Sequence, residues 1–388
     1  MNRKRFAQSI VVMSLTLALG FSYAEEPYLT LFYKGNLAEK NQIVKDAAEA
    51  GDGSIALQSL DFSISAYGAL HGESEFITLA ETSVKALTAG NTPGKEKEAA
   101  EKLRSVFKLF SEPQIKIAVL DAFSVFQAPE NLFLVNDFFY EKMQNSADID
   151  EALLKAVLYM GSYGNAASFN MLFIADILDV WPSYSKILAN AYGSLADGSE
   201  KEILQLLATV PAERKIIILE KLSSNPKIAK KICGEAAENV LSSVIYSMEG
   251  SQDDSSGMQT ELMLASLQII SDANWTRASK MATSCFDALR SGYESGSISD
   301  EAFSNAIADI ASVASADTAK VLSSYLDFLN RSTEKKQPPA KAVVLSVINS
   351  LGELGDKNAF DCLLYATYLD YPEEVILSAK SALAKLKW

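Results

Sequence analysis

Histidine is almost missing from this chain of 388 residues: His71 is the single copy. A metal site built from several imidazoles is therefore out of reach, and any Ser–His or Cys–His nucleophilic system would have to be built on this one residue. His71 stands in the segment ALHGES, where an exposed turn residue is the plainer reading. Cysteine is scarce as well. Cys233, Cys285 and Cys362 are odd in number, far apart and each set in an apolar helical pattern. That excludes a disulfide framework and a paired-cysteine zinc site; buried free thiols are expected, with a single bridge as the alternative. Positive charge is in deficit too, 35 Lys and Arg against 49 Asp and Glu, for a net charge of −14. Such a chain is repelled at long range by nucleic acid and anionic lipid, and suits basic or neutral partners.

The usual reaction motifs are also wanting. Gly90 to Lys95 (GNTPGK) is one residue short of a phosphate-binding loop, and Glu96 stands where Ser or Thr must hold magnesium. Asp253-Asp254 lacks the alternating carboxylates and central glycine of a calcium loop. Ser-x-x-Lys spacing occurs at Ser105/Lys108, Ser183/Lys186 and Ser332/Lys335, with no Lys-Thr-Gly partner motif. No catalytic residue, cofactor or metal ligand is assigned, and the expectation is a protein that is not an enzyme.

What is present begins at the N-terminus. Arg3, Lys4 and Arg5 precede an apolar stretch from Ile10 to Phe21, and Ser22-Tyr23-Ala24 puts small residues where a signal peptidase reads them. The stretch is shorter than the ~20 residues of a spanning helix, and no cysteine lies nearby for a lipid anchor. Residues 1–24 are expected to be a cleaved leader, with an exported, periplasmic mature chain and no transmembrane segment after cleavage. Loss of three basic residues would take the net charge from −14 to −17.

The segment LGELGDKNAF, Leu351 to Phe360, encodes a tight corner between helices. Val343, Val344, Leu345, Val347, Ile348 and Leu351 recur at helical spacing after Pro338-Pro339. Gly352 and Gly355 can end that helix, and Asp356 can cap the next. Ala359, Phe360, Leu363, Leu364 and Tyr368 continue it; Asp370-Tyr371-Pro372 breaks it, and Val375 to Leu386 forms a third helix. LYMGSYGNAASFNMLF aligns without a gap, setting Gly161 on Gly352, Gly164 on Gly355 and Asn165 on Asp356. At YGSLADGSEKEILQLL, after Gly193, Asp197 takes the Asp356 place. Weaker copies stand at 65–76, 125–134, 222–232, 269–278 and 312–322, mostly roughly 30 to 50 residues apart, the period of helical solenoids.

The run from Val343 to Leu386, with VINSLGELGDKNAFDCLL, DYPEEV and ILSAKSALAKL, resembles the HEAT-like repeat. That resemblance implies an all-α fold, an α-solenoid of stacked antiparallel helix pairs, irregular because Ile376 replaces the arginine often found after the restart valine and most copies lack a glycine. It also implies a scaffold that binds proteins. The expected layout is a helical lead-in at 25–50 and a repeat array at 51–388, with a possible seam at 250–257 (GSQDDSSG). Residues 89–94, 291–300 and 331–339 read as loops.

Aromatic residues crowd between Leu120 and Tyr192, among them Phe123, Phe126, Phe133, Phe138, Phe139, Tyr140, Tyr159, Tyr163, Trp181 and Tyr184. Core packing accounts for most of them. Tyr140, Tyr163, Trp181 and Tyr184 are the candidate partner-binding residues, expected to stand partly exposed along one groove as aromatic anchors do. The functional expectation is a non-catalytic scaffold or adaptor of the bacterial cell envelope with a protein partner and no nucleic acid. The alternatives are a structural component of an envelope assembly, and an α-helical carbohydrate-active or carbohydrate-binding protein with two carboxylates in an aromatic-lined cleft.

Overall fold

The computed structural model describes residues 25–145, 148–250 and 256–387. The leader read at 1–24 and residues 251–255 of the linker-like segment lie outside the described residues. The described chain is all-α: 21 α-helices, three single turns of 3-10 helix and no strand beyond one isolated bridge between Asp356 and Lys387. No described helix is long and apolar enough to cross a membrane. The chain divides into two units, the first running to Gly164 with Val180–Ile187 added, the second comprising Asn165–Asp179 and Leu188 onward.

In the first unit, consecutive helices pack in pairs and each helix also packs on the next of its own layer. One layer contains Glu25–Lys34, Ser54–Leu70, Glu96–Leu109 and Pro129–Gln144; the other contains Leu37–Glu49, Ser74–Lys85, Pro113–Val125 and Glu151–Tyr163. The helix starts in the second layer are roughly 38 residues apart, within the range of helical repeats. Residues 25–50 thus supply the first described helix pair of this unit. Glu96–Leu109 shows why the pattern folds: Ala99, Ala100, Leu103, Val106 and Phe107 form the buried face, at the spacing of an amphipathic helix. Pro113 and Pro129 open their helices, where a missing N–H costs nothing.

A lysine device recurs in this unit. Lys40, fourth in Leu37–Glu49, donates to the carbonyls of Phe32 and Gly35 and lies 5.0 Å and 5.5 Å from the Phe32 and Phe62 rings. Lys116, fourth in Pro113–Val125, donates to the Phe107 carbonyl and lies 4.1 Å and 5.5 Å from the Phe107 and Phe138 rings. Each ammonium meets the unpaired carbonyls ending the preceding helix, where a cation is favoured, between two aromatic rings.

Burial pushes the Lys116 ammonium down to about 8, with Glu141 and Glu112 opposing the shift. The unfolded chain therefore keeps a proton between pH 8 and 10.5 that the folded chain has released, so this group adds stability as pH rises through that window. The stability difference between wild type and Lys116→Met, measured by urea denaturation, is expected to shift in favour of wild type from pH 8 to pH 10. A flat difference would contradict it.

The second unit has a ladder of Ala166–Ile177, Ala212–Ser224, Ser256–Asp272, Asp300–Ser312, Lys341–Leu354 and Glu373–Lys385, each packed on the next. Lys230–Gly250, Phe286–Glu294, Thr318–Glu334 and Phe360–Ala366 each pack against the ladder helix that follows them. Lys230–Gly250 and Ser256–Asp272, which flank the expected seam, belong to this one unit and pack together. Two loop readings shorten: residues 291–294 belong to Phe286–Glu294, continued by the Arg290–Glu294 ion pair at 2.7 Å, and 331–334 belong to Thr318–Glu334.

All eight corners fall at helix junctions. At Gly355 the chain turns left-handed (φ 65°), and Asp356 accepts from the Asn358 amide at 2.8 Å. Asn165 does the same work for its helix, accepting from Ala167 and Ser168 at 3.0 Å and 3.2 Å. The other corner residues act differently. Gly164 ends its helix in extended backbone (φ −71°), and Gly161 is helical, in the last turn of Glu151–Tyr163. Gly352 is buried inside Lys341–Leu354, where a Cβ would lie 2.9 Å from the Ala382 Cβ. Its reason is close helix packing, not a turn. Gly193 likewise gives room to the Asn225 amide, which a Cβ would meet at 2.8 Å. Asp197 does not cap: Ser199 holds the cap position without a side-chain bond, and Gly198 at φ 88° makes the turn.

Candidate protein-binding surface

The four aromatic residues singled out from the sequence have different settings. Trp181 is buried, 8 % exposed, with its ring edge-on to Phe139 at 5.5 Å. It is a core residue, because the helix face bearing Phe139 needs a large apolar cover, and it cannot anchor an exposed groove. Tyr163 is exposed at the end of Glu151–Tyr163, its ring 5.0 Å from buried Tyr159. Burial pushes the Tyr159 phenol up to about 12. Tyr184 is half-buried in the turn Pro182–Tyr184. Tyr140 is exposed.

Tyr140 belongs to a row that the four-residue reading missed. Pro129–Gln144 buries Asn131, Val135, Asn136 and Phe139. The opposite side exposes Glu130, Phe133, Asp137, Tyr140, Glu141 and Gln144. Offsets of three, four and seven put these six residues in one stripe. Phe133 is 67 % exposed and Tyr140 48 % exposed, about 10.5 Å apart along the axis at 1.5 Å per residue. The pattern was available in the sequence: a helical wheel of this segment sets Phe133 and Tyr140 among the acidic residues, away from Val135 and Phe139.

The inner side of the same helix is tied down. Asn131 donates to the Phe126 carbonyl at 2.8 Å and accepts from Arg104 at 3.1 Å, and Arg104 reaches Glu130 at 4.0 Å. Beside the stripe opens a cleft of about 610 Å³ whose lining includes Glu96, Glu101, Arg104, Val125 and Glu130. The inner side of this helix is thus held by side-chain bonds while the Phe133 and Tyr140 rings on its other side stay exposed.

The second unit has a groove of its own. Two adjoining cavities of about 220 and 440 Å³ share Ser242 and Met281. Arg277 is held there by Glu238 at 2.8 Å and by the Trp275 ring at 5.2 Å, while Trp275 Nε1 donates to Glu238 at 2.7 Å. Tyr246, 81 % exposed, stands at the other end.

Reactive groups are placed otherwise. All three cysteines are free and buried, and burial pushes the thiols of Cys285 and Cys362 up to about 12 and 11, far from the thiolate form a nucleophile needs. His71 is exposed, its Nδ1 3.1 Å from the Tyr67 carbonyl. Among the described residues no group of three or more His, Cys, Asp or Glu could hold a metal ion. Asp272 and Asp309 share a cavity of about 340 Å³. Burial, helped by Asp272, raises the Asp309 carboxyl, with Ser271 opposing. No aromatic side chain lines that cavity, so it lacks the stacking surface of the carbohydrate-cleft expectation. No protein-family model matches the chain, and no curated protein matches it.

Proposed function

We propose that this protein is a non-catalytic protein-binding scaffold or adaptor of the bacterial cell envelope, exported by its leader to the periplasm and built from HEAT-like helical repeats. The observation that carries this reading is the outward row of Phe133 and Tyr140. Aromatic rings left this exposed forgo much of the ~25 cal/mol per Å² that burial would bring. Aromatic anchors on rigid backbone are what interface hot spots are made of. A second reading, a structural component of an envelope assembly, has the support of Tyr368 and Leu377, exposed just before and within the last helix, Glu373–Lys385.

A crosslinking pull-down from native envelope tests the first reading. The mature chain is expected to recover one or two proteins reproducibly, and Phe133→Ala/Tyr140→Ala to lose them with unchanged helix content by circular dichroism. Equal recovery by both chains would move the contact elsewhere.

A further inference from the structure

The stripe on Pro129–Gln144 has a chemical bias beyond its two rings. Asp137 lies one turn from each of them, Glu141 follows Tyr140 directly, and Glu130 precedes Phe133 by three residues. Glu130 is partly engaged by Arg104. Asp137 and Glu141 form no direct ion pair among the described residues; Lys116, on Pro113–Val125, acts on Glu141 only from longer range. The nearest basic side chain of the same helix, Lys142, is turned to Asp150 at 3.0 Å and over the Phe138 ring at 5.5 Å. The stripe therefore has apolar anchors two turns apart with carboxylates between and beside them, and no basic residue of its own. A lysine or arginine is the side chain that satisfies both features, pairing with a carboxylate and lying over an aromatic face.

From this we infer that the outward stripe of Pro129–Gln144 docks a basic amphipathic helix of a protein partner, a segment with leucine-like residues seven apart and lysine or arginine between them. The inference rests on the scaffold reading and adds the chemistry of the partner. The Phe133 and Tyr140 rings take the apolar side chains of the incoming helix, and Asp137 and Glu141 take its cations. An acidic segment is rejected by the same carboxylates, which gives the surface its selectivity.

The test uses the full mature chain and a fluorescein-labelled 14-residue helical peptide of leucine and lysine, with the lysine positions changed to glutamate in the control. Fluorescence anisotropy is expected to show saturable binding of the basic peptide only, weakening as salt is raised. Phe133→Ala/Tyr140→Ala is expected to weaken binding about tenfold, the scale of losing one interface anchor, and Asp137→Asn/Glu141→Gln to weaken it several-fold. Glu213→Gln/Glu220→Gln removes the same charge from exposed sites of the second unit and is expected to change nothing, which separates the stripe from the general acidity of the chain. Equal binding of both peptides, or equal losses in the two charge variants, overturns the inference. A photo-crosslinker at position 140 separates the two levels: adducts on a partner segment without basic residues overturn the chemistry and leave the scaffold, whereas no adduct and no peptide binding overturn both.

Discussion

Replacing Asp176 by alanine is expected to cost the second unit about 3 kcal/mol, the scale of breaking a buried charge pair. The Asp176 carboxylate is almost fully buried and accepts from the Lys221 ammonium at 2.9 Å and from the Tyr192 hydroxyl at 3.2 Å. Three helices meet at this point, Ala166–Ile177, Ser185–Gly193 and Ala212–Ser224. Without the carboxylate, a phenol that burial keeps protonated loses its acceptor and an ammonium loses its counter-charge. Lys221 is 29 % exposed and can turn to water, which holds the cost to the lower end of the range for such pairs. Urea denaturation of Asp176→Ala is the check, and the double variant Asp176→Ala/Lys221→Ala is expected to lose less than the sum of the two single losses. A loss under about 1 kcal/mol in Asp176→Ala would show that this contact holds nothing together.

Gly352→Leu is expected to destabilise by a similar amount, about 3 kcal/mol, at the upper end for overpacking a filled core. Its Cβ would stand 2.9 Å from the Ala382 Cβ and 3.0 Å from the Ala382 Cα. Part of that obstruction is backbone, so no rotamer change relieves it. Nor can Glu373–Lys385 back away freely, since the Lys387 amide donates to the Gly355 carbonyl at 2.8 Å. Gly68 makes the contrast. It is helical, with nothing within 4 Å of its would-be Cβ. Gly68→Ala is expected to stabilise by about 0.5–1 kcal/mol through helix propensity. Thermal denaturation of the two variants in parallel reads both; a Gly352→Leu protein as stable as wild type would mean the two helices are not closely packed.

The repeat architecture was legible because it is written in local terms. Corner residues such as Asn165 and Asp356 declare themselves through capping chemistry acting over two or three residues, and the apolar periodicity between corners sets the helices. What escaped is non-local. Gly164 and Gly355 occupy the same place in aligned segments, yet only Gly355 turns left-handed, because its turn is pinned to the last residues of the chain. Gly352 reads as a helix stop until Ala382 is seen against it. Trp181 and Tyr140 look alike as surface aromatics in a list; the buried Phe139 ring takes the first inward and leaves the second outside. Sequence spacing names the residues of the Pro129–Gln144 stripe, and only packing says which side of that helix is covered.

The central claim is that the outward face of Pro129–Gln144 meets another protein. A photo-reactive amino acid placed at position 133 in the full chain, irradiated in intact cells and read by mass spectrometry, tests it most directly. The account predicts a single major adduct to another protein, absent when the same group is placed at exposed Glu213. Irradiation that yields no adduct at 133, or the same adducts from both positions, would contradict it.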